Sequence, residues 1–152
     1  MKVLSLFDGI SCGMLALQRA GIPVECYDAF EIDKYAVTVS KRNFPVIVHH
    51  GNVYDGDFTQ FKGYDLLLGG SPCTYWSIAK KDREVDCNGE GFRLFKEYVR
   101  ALEESGCKYF LYENNYSVHQ NIKDEITRVL GVEPIMINSA LVSAQNRKRC
   151  YW

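Results

Sequence analysis

Short apolar runs recur along this 152-residue chain, each closed by glycine, proline or a polar residue. Lys2–Leu6, Val24–Phe30, Val46–His49, Asp65–Leu68 and Tyr109–Tyr112 have the length and the Val, Ile, Leu and aromatic content of buried strands. Segments of helical pattern lie between most of them: Met14–Ala20, a segment that Asp33 would cap and that runs to about Asn43, Leu94 to about Ser105, and Ile122–Leu130. Gly21-Ile22-Pro23 stops the first helix and Phe44-Pro45 the second. Alternating strands and helices bury both faces of a sheet only by layering helices on each side. The expected class is therefore α/β, a doubly wound, mostly parallel sheet of about seven strands. Pro134–Val142 and Arg149–Trp152 follow one another without a helix and are expected to form an antiparallel hairpin at one edge.

Apolar residues make up 47% of the chain, enough for one domain over residues 1–152 with a real core. No run approaches the roughly 18 apolar residues of a membrane span. The N-terminus meets Asp8 too soon to be a secretion signal, so the expected location is cytoplasmic. Six cysteines fall without a C-x-x-C pair and only three histidines accompany them, so no metal site is expected and the thiols are read as reduced. Net charge is −1, and the basic residues are scattered apart from Arg147-Lys148-Arg149. A chain that held nucleic acid alone would carry a basic face. There are no repeats and no low-complexity segments.

Five groups of residues carry chemistry. Gly69-Gly70-Ser71-Pro72-Cys73 follows the Asp65–Leu68 strand, and ligands of open α/β sheets bind beyond the carboxyl ends of strands. A thiolate there would be a ready nucleophile, and a cysteine filling an apolar turn is the plain alternative. Phe7-Asp8-Gly9-Ile10-Ser11-Cys12-Gly13 is a Gly-punctuated turn between strand and helix that lacks G-x-G-x-x-G and the Walker pattern. Its acid suits a neutral or cationic ligand better than a phosphate. Glu31, at the end of the second strand, could accept both hydroxyls of a ribose. Glu113-Asn114 follows the fifth strand, and Arg147 and Arg149 alternate onto one face near the end of the chain. The polar stretch Gly69–Gly91 is long for a loop inside a domain, and such loops are usually functional.

In chain order, the Phe7-Asp8-Gly9 turn, Gly70-Ser71-Pro72-Cys73, Glu113-Asn114 and Gln145-Asn146-Arg147-Lys148-Arg149 resemble the DNA (cytosine-5) methyltransferases, over nearly the whole chain. The resemblance implies that Cys73 attacks C6 of a flipped-out cytosine, that Glu113 protonates or holds N3, and that Arg149, helped by Arg147, holds the base near O2. It implies S-adenosyl-L-methionine as cofactor, cradled by Phe7, Asp8, Gly9, Ile10 and Gly13. Glu31 would take its ribose, Ile32 its adenine ring, and Asn52 and Val53 the adenine edge. Pro72, Phe92, Leu94 and Phe95 would line the same pocket, and Ser77 matches the serine after the Pro-Cys pair. Three departures stand out: Asn52 replaces the usual acid, with Asp55 as a substitute; Asn115 follows Glu-Asn where Val is usual; and the target-recognition domain and final motifs are absent. The implied partner is DNA with a target cytosine, and a second chain could carry the recognition domain. Apolar surface left bare would favour self-association. A tRNA cytosine-5 methyltransferase and an inactive remnant acting as a binding module are the competing readings.

Overall fold

A computed structural model describes residues 1–152. Seven strands hydrogen-bond in the order β3-β2-β1-β4-β5-β7-β6: β1 Lys2–Leu6, β2 Cys26–Phe30, β3 Val48–His49, β4 Leu66–Gly69, β5 Tyr109–Asn115, β6 Ile135–Asn138 and β7 Lys148–Tyr151. The helices are α1 Cys12–Arg19, α2 Lys34–Asn43, α3 Glu90–Ser105 and α4 Gln120–Leu130. β1, β2, β3 and β4 pair in parallel, whereas β7 runs antiparallel to both β5 and β6. The expected α/β class and terminal hairpin are both present. No helix is long and apolar enough to cross a membrane.

Two compact units divide the chain: Met1–Gly69 with Glu97–Leu111, and Gly70–Lys96 with Tyr112–Trp152. In the first, Val3, Met14, Leu17, Tyr27, Ala29 and Ile47 form a core cluster. Asp33 accepts from the backbone N–H groups of Tyr35 and Ala36, which is why α2 starts where it does. α1 starts two residues earlier than its apolar pattern suggests and takes Gly13 into its first turn. A Cβ on Gly13 would lie 2.8 Å from both Leu68 Cδ1 and the Tyr27 hydroxyl oxygen, so helix–sheet packing requires glycine there. We expect Gly13→Ala to destabilise the fold by about 1–3 kcal/mol, read as a lowered urea midpoint at unchanged slope.

Arg100 of α3 holds this unit's irregular stretch in place. Its guanidinium donates to the carbonyl oxygens of Val53 (3.0 Å) and Gly56 (2.9 Å), pairs with Glu97 and Glu104, and lies 4.5 Å from the Phe58 ring centroid.

The second unit begins with the long segment after β4. This segment is not a free loop. Trp76 is fully buried, and its indole N–H donates to Glu84. The same carboxylate accepts the Gly91 N–H and so serves the first turn of α3. That contact starts α3 at Glu90, ahead of the expected Leu94, and makes Phe92 a buried helical residue. β5 is longer than expected and includes Glu113 and Asn114, because β7 pairs with it from Glu113 to Asn115. β6 is shorter: Asn138 caps a 3-10 turn at Ser139–Leu141 and ends it. Ile135, Met136 and Ile137 of this edge strand are exposed. The second unit holds ten Lys and Arg against eight Asp and Glu, the first eight against eleven, so the basic excess is on the unit that carries Cys73.

Candidate active site

Cys73 opens a 3-10 turn, Cys73–Tyr75, and is half-buried. Gly70, three residues before it, has no room for a side chain. A Cβ there would sit 2.5 Å from the Glu113 carbonyl oxygen and 3.0 Å from its Oε2. Ser71 is buried and held twice, its hydroxyl by the Tyr112 hydroxyl at 2.7 Å and its carbonyl oxygen by Asn114 Nδ2 at 3.1 Å. The turn bearing Cys73 is therefore fastened onto the strand bearing Glu113.

Glu113 pairs with Arg149 across the β5–β7 ladder, Nε to Oε1, at 2.6 Å. The Arg149 side chain is 12% exposed and that of Glu113 37%. Burial pushes the Glu113 carboxyl above the usual range, against the opposing pull of Arg149 and then Arg147. The outcome is an acid more ready to hold a proton than an ordinary glutamate. Arg147 precedes β7 rather than lying in it, is exposed, and donates its N–H to Asn138 Oδ1. It lines a cavity of about 330 Å³ together with Ser77, Asn115, Ser117, Gln145 and Arg149.

In the first unit, the β1–α1 turn is strained. Phe7, Gly9 and Ser11 all have left-handed backbones, with φ of 57°, 60° and 64°. Non-glycine residues rarely adopt this region, and such strain gathers at functional sites. Asp8 holds the turn through hydroxyl donors from Ser5, Tyr27 (both 2.7 Å) and Ser11. The Gly9 N–H donates to Glu31, whose other oxygen takes the N–H groups of Ile32 and Asp33. Ile10 and Ile32 are left 49% and 74% exposed. Asn52 caps a 3-10 turn by accepting from the Tyr54 N–H, and Val53 is buried.

The Asp8 network continues inward. Ser11 donates to the carboxylate, so Ser40 donates to Ser11 (2.6 Å) and His49 Nε2–H to Ser40 (3.1 Å). His49 Nδ1 is buried without a partner, and burial lowers the ring's proton affinity. A group whose pKa is depressed in the fold resists a proton that the unfolded chain accepts. Stability is then lost as pH falls below the ordinary value of 6.5. Denaturant curves between pH 7.5 and 5 should show this loss, and His49→Gln should flatten it.

All of residues 1–152 match the sequence profile of the C-5 cytosine-specific DNA methylases. The chain belongs to this family. Orphan methyltransferase M.SPRI of Bacillus phage SPR is 33% identical over 165 residues, which take in 99% of this chain and 37% of that protein. Type II methyltransferase M.HgiCII of Herpetosiphon aurantiacus is 34% identical over 116 residues, 74% of this chain and 25% of that protein. The chain thus spans about a third of the length of such relatives. The crystal structure of S. pombe Dnmt2 methyltransferase shares the fold, with a TM-score of 0.71 at 18% identity over 99% of this chain and 47% of that one.

Within this cytosine-5 methylase chain, Cys73, Glu113, Arg147, Arg149, Pro72, Phe92 and Leu94 lie in the second unit; Phe7, Asp8, Gly9, Ile10, Gly13, Glu31, Ile32, Asn52 and Val53 lie in the first. Ser71, quoted within its motif but given no role there, holds site elements in place together with Tyr112, Glu84 and Arg100. Ser71, Tyr112 and Arg100 have partners far along the chain, and no local sequence signal marks them.

Proposed function

We propose that this chain carries the catalytic centre of a DNA (cytosine-5) methyltransferase. The observation that carries the reading is the 2.6 Å Arg149–Glu113 pair, on a strand to which the Gly70–Ser71 approach to Cys73 is fastened. A nucleophile, an acid with raised proton affinity and a guanidinium thus belong to one framework.

In this reading, Cys73 attacks C6 of cytosine as a thiolate. Glu113 donates a proton or a hydrogen bond to N3, which lets the ring accept the electron pair and makes C5 nucleophilic. Arg149 holds Glu113 in place and faces the base near O2, with Arg147 beside it. After C5 gains its methyl group, loss of the C5 proton and elimination release Cys73. The base must leave the duplex first, at a cost of a few kcal/mol.

The first unit's residues fit S-adenosyl-L-methionine, which supplies the methyl group as an electrophilic sulfonium. The strained Phe7–Gly13 turn brings backbone N–H groups to the ligand. Glu31 keeps acceptor capacity for a ribose beyond its three backbone donors. Exposed Ile32 offers a face for adenine. Asp8 holds the turn through three hydroxyl donors. Gly13 acts through packing. Asn52 and Val53 of the same unit contribute the adenine edge. Target selection belongs to a recognition region, on a further segment or a second chain.

Isotopically labelled methyl transfer to cytosine-containing DNA tests this, alongside calorimetric titration of S-adenosyl-L-methionine. A duplex with 5-fluorocytosine at the target should trap an adduct on the Cys73 peptide. Cofactor binding with neither transfer nor adduct, even after a recognition region is supplied, would reject the reading in favour of a binding module.

A further inference from the structure

The mechanism above has no use for a phenol, yet Tyr112 buries one completely in the second unit. Its ring packs 5.1 Å from Phe95 and 5.8 Å from Trp152 by centroid, and phenylalanine would pack there as well. Burial pushes the hydroxyl up to about 12, so it stays protonated. A buried hydroxyl is tolerated only when hydrogen-bonded, and this one meets the Ser71 hydroxyl at 2.7 Å. Asn114 Nδ2 reaches the Ser71 carbonyl (3.1 Å) and the Tyr112 hydroxyl (3.3 Å), while Asn114 Oδ1 takes the Asn115 N–H. Ser71, Tyr112 and Asn114 are each at most 2% exposed, so water does not compete for these bonds.

We propose that Tyr112 and Ser71 are positioning residues for Cys73, acting as a pair through the bond between their hydroxyls. Pro72 is the only residue between Ser71 and Cys73, and its ring fixes φ at −50°. Fixing Ser71 thus fixes the direction in which the Cys73 side chain leaves the turn. The other end of the bond is one residue from Glu113, so the pair sets thiol and carboxyl on one frame. This rests on the reading of Cys73 as the nucleophile, but the positioning itself can be tested on the thiol alone.

The test is iodoacetamide alkylation of the intact chain, resolved by peptide mass spectrometry, for Tyr112→Phe, Ser71→Ala and the double variant. Losing one hydrogen bond should loosen the turn and raise the Cys73 rate by about tenfold. Cys107 and Cys150, both buried, should stay as slow as in the parent chain. The effects of the two single variants should not add in the double variant, because the bond between the two hydroxyls is lost in each. An unchanged Cys73 rate overturns the proposal, and so does a rise shared by Cys107 and Cys150, which would mean general loosening. In methyl transfer the expected signature is a lower kcat at unchanged KM for S-adenosyl-L-methionine. If the Cys73-specific rise appears while the parent chain transfers no methyl group, the positioning stands and the proposed reaction falls.

Discussion

Cys73→Ala should abolish methyl transfer, by about 10⁴-fold or more, while leaving stability within about 0.5 kcal/mol of the parent chain. The two halves of this expectation come from different features. The side chain is half-buried in a turn fastened through Ser71 and Gly70, so removing one sulfur leaves the turn's own bonds intact. In the proposed mechanism the chemistry has no substitute, because Cys73 is the only thiol on this turn. Cys87→Ala, in the same unit, serves as the control and should retain full activity. Chemical denaturation checks the stability and labelled methyl transfer the activity. Residual transfer within tenfold of the parent in Cys73→Ala would remove the covalent step from the mechanism.

The parts legible in the sequence were those set by neighbours along the chain. β1 has its expected bounds because five apolar-rich residues precede a Gly-punctuated turn. α2 has its expected bounds because Asp33 caps it locally and Phe44-Pro45 ends it. The illegible parts depend on groups distant in sequence. α3 looks as though it should start at Leu94, since Gly89 and Gly91 discourage a helix. The Glu84 carboxylate reaches the Gly91 N–H and moves the start to Glu90. Glu113 and Asn114 read as loop because they are polar, and pairing with β7 makes them strand.

At the candidate site, the identities of Cys73, Glu113 and Arg149 could be read, since chemistry constrains residue type. What holds them could not. Gly13 could be read as a glycine of the turn, but not the nearness of Tyr27 and Leu68 that leaves little room for a side chain there. Asp8 could be read as the acid of the turn, but not the three hydroxyls from Ser5, Ser11 and Tyr27 that it accepts.

Arg149→Ala should produce the largest effect on the acid. Its guanidinium is 12% exposed and is the first of the influences that draw the Glu113 carboxyl down against burial. Without it burial acts with less opposition, and the carboxyl rises further. For an acid raised in the fold, stability is present at pH below the ordinary value and is lost as pH rises and the group must ionise. The variant's deficit should therefore be small near pH 4.5 and grow towards pH 8. Breaking a fully buried pair costs roughly 3–5 kcal/mol. The 37% exposure of Glu113 lets water solvate part of the abandoned carboxylate, so the expected deficit at pH 7.5 is about 1–2 kcal/mol. Activity should fall further than stability, by about 10²-fold or more, because the acid loses its orientation as well as its partner. Glu113→Gln separates the two effects: it keeps a hydrogen-bond acceptor for Arg149 and cannot ionise, so its stability should not follow the Arg149→Ala pH trend. Urea unfolding of both variants across pH 4.5–8 reads the difference directly, and a deficit in Arg149→Ala that stayed flat with pH would show that Glu113 is not the group the guanidinium controls.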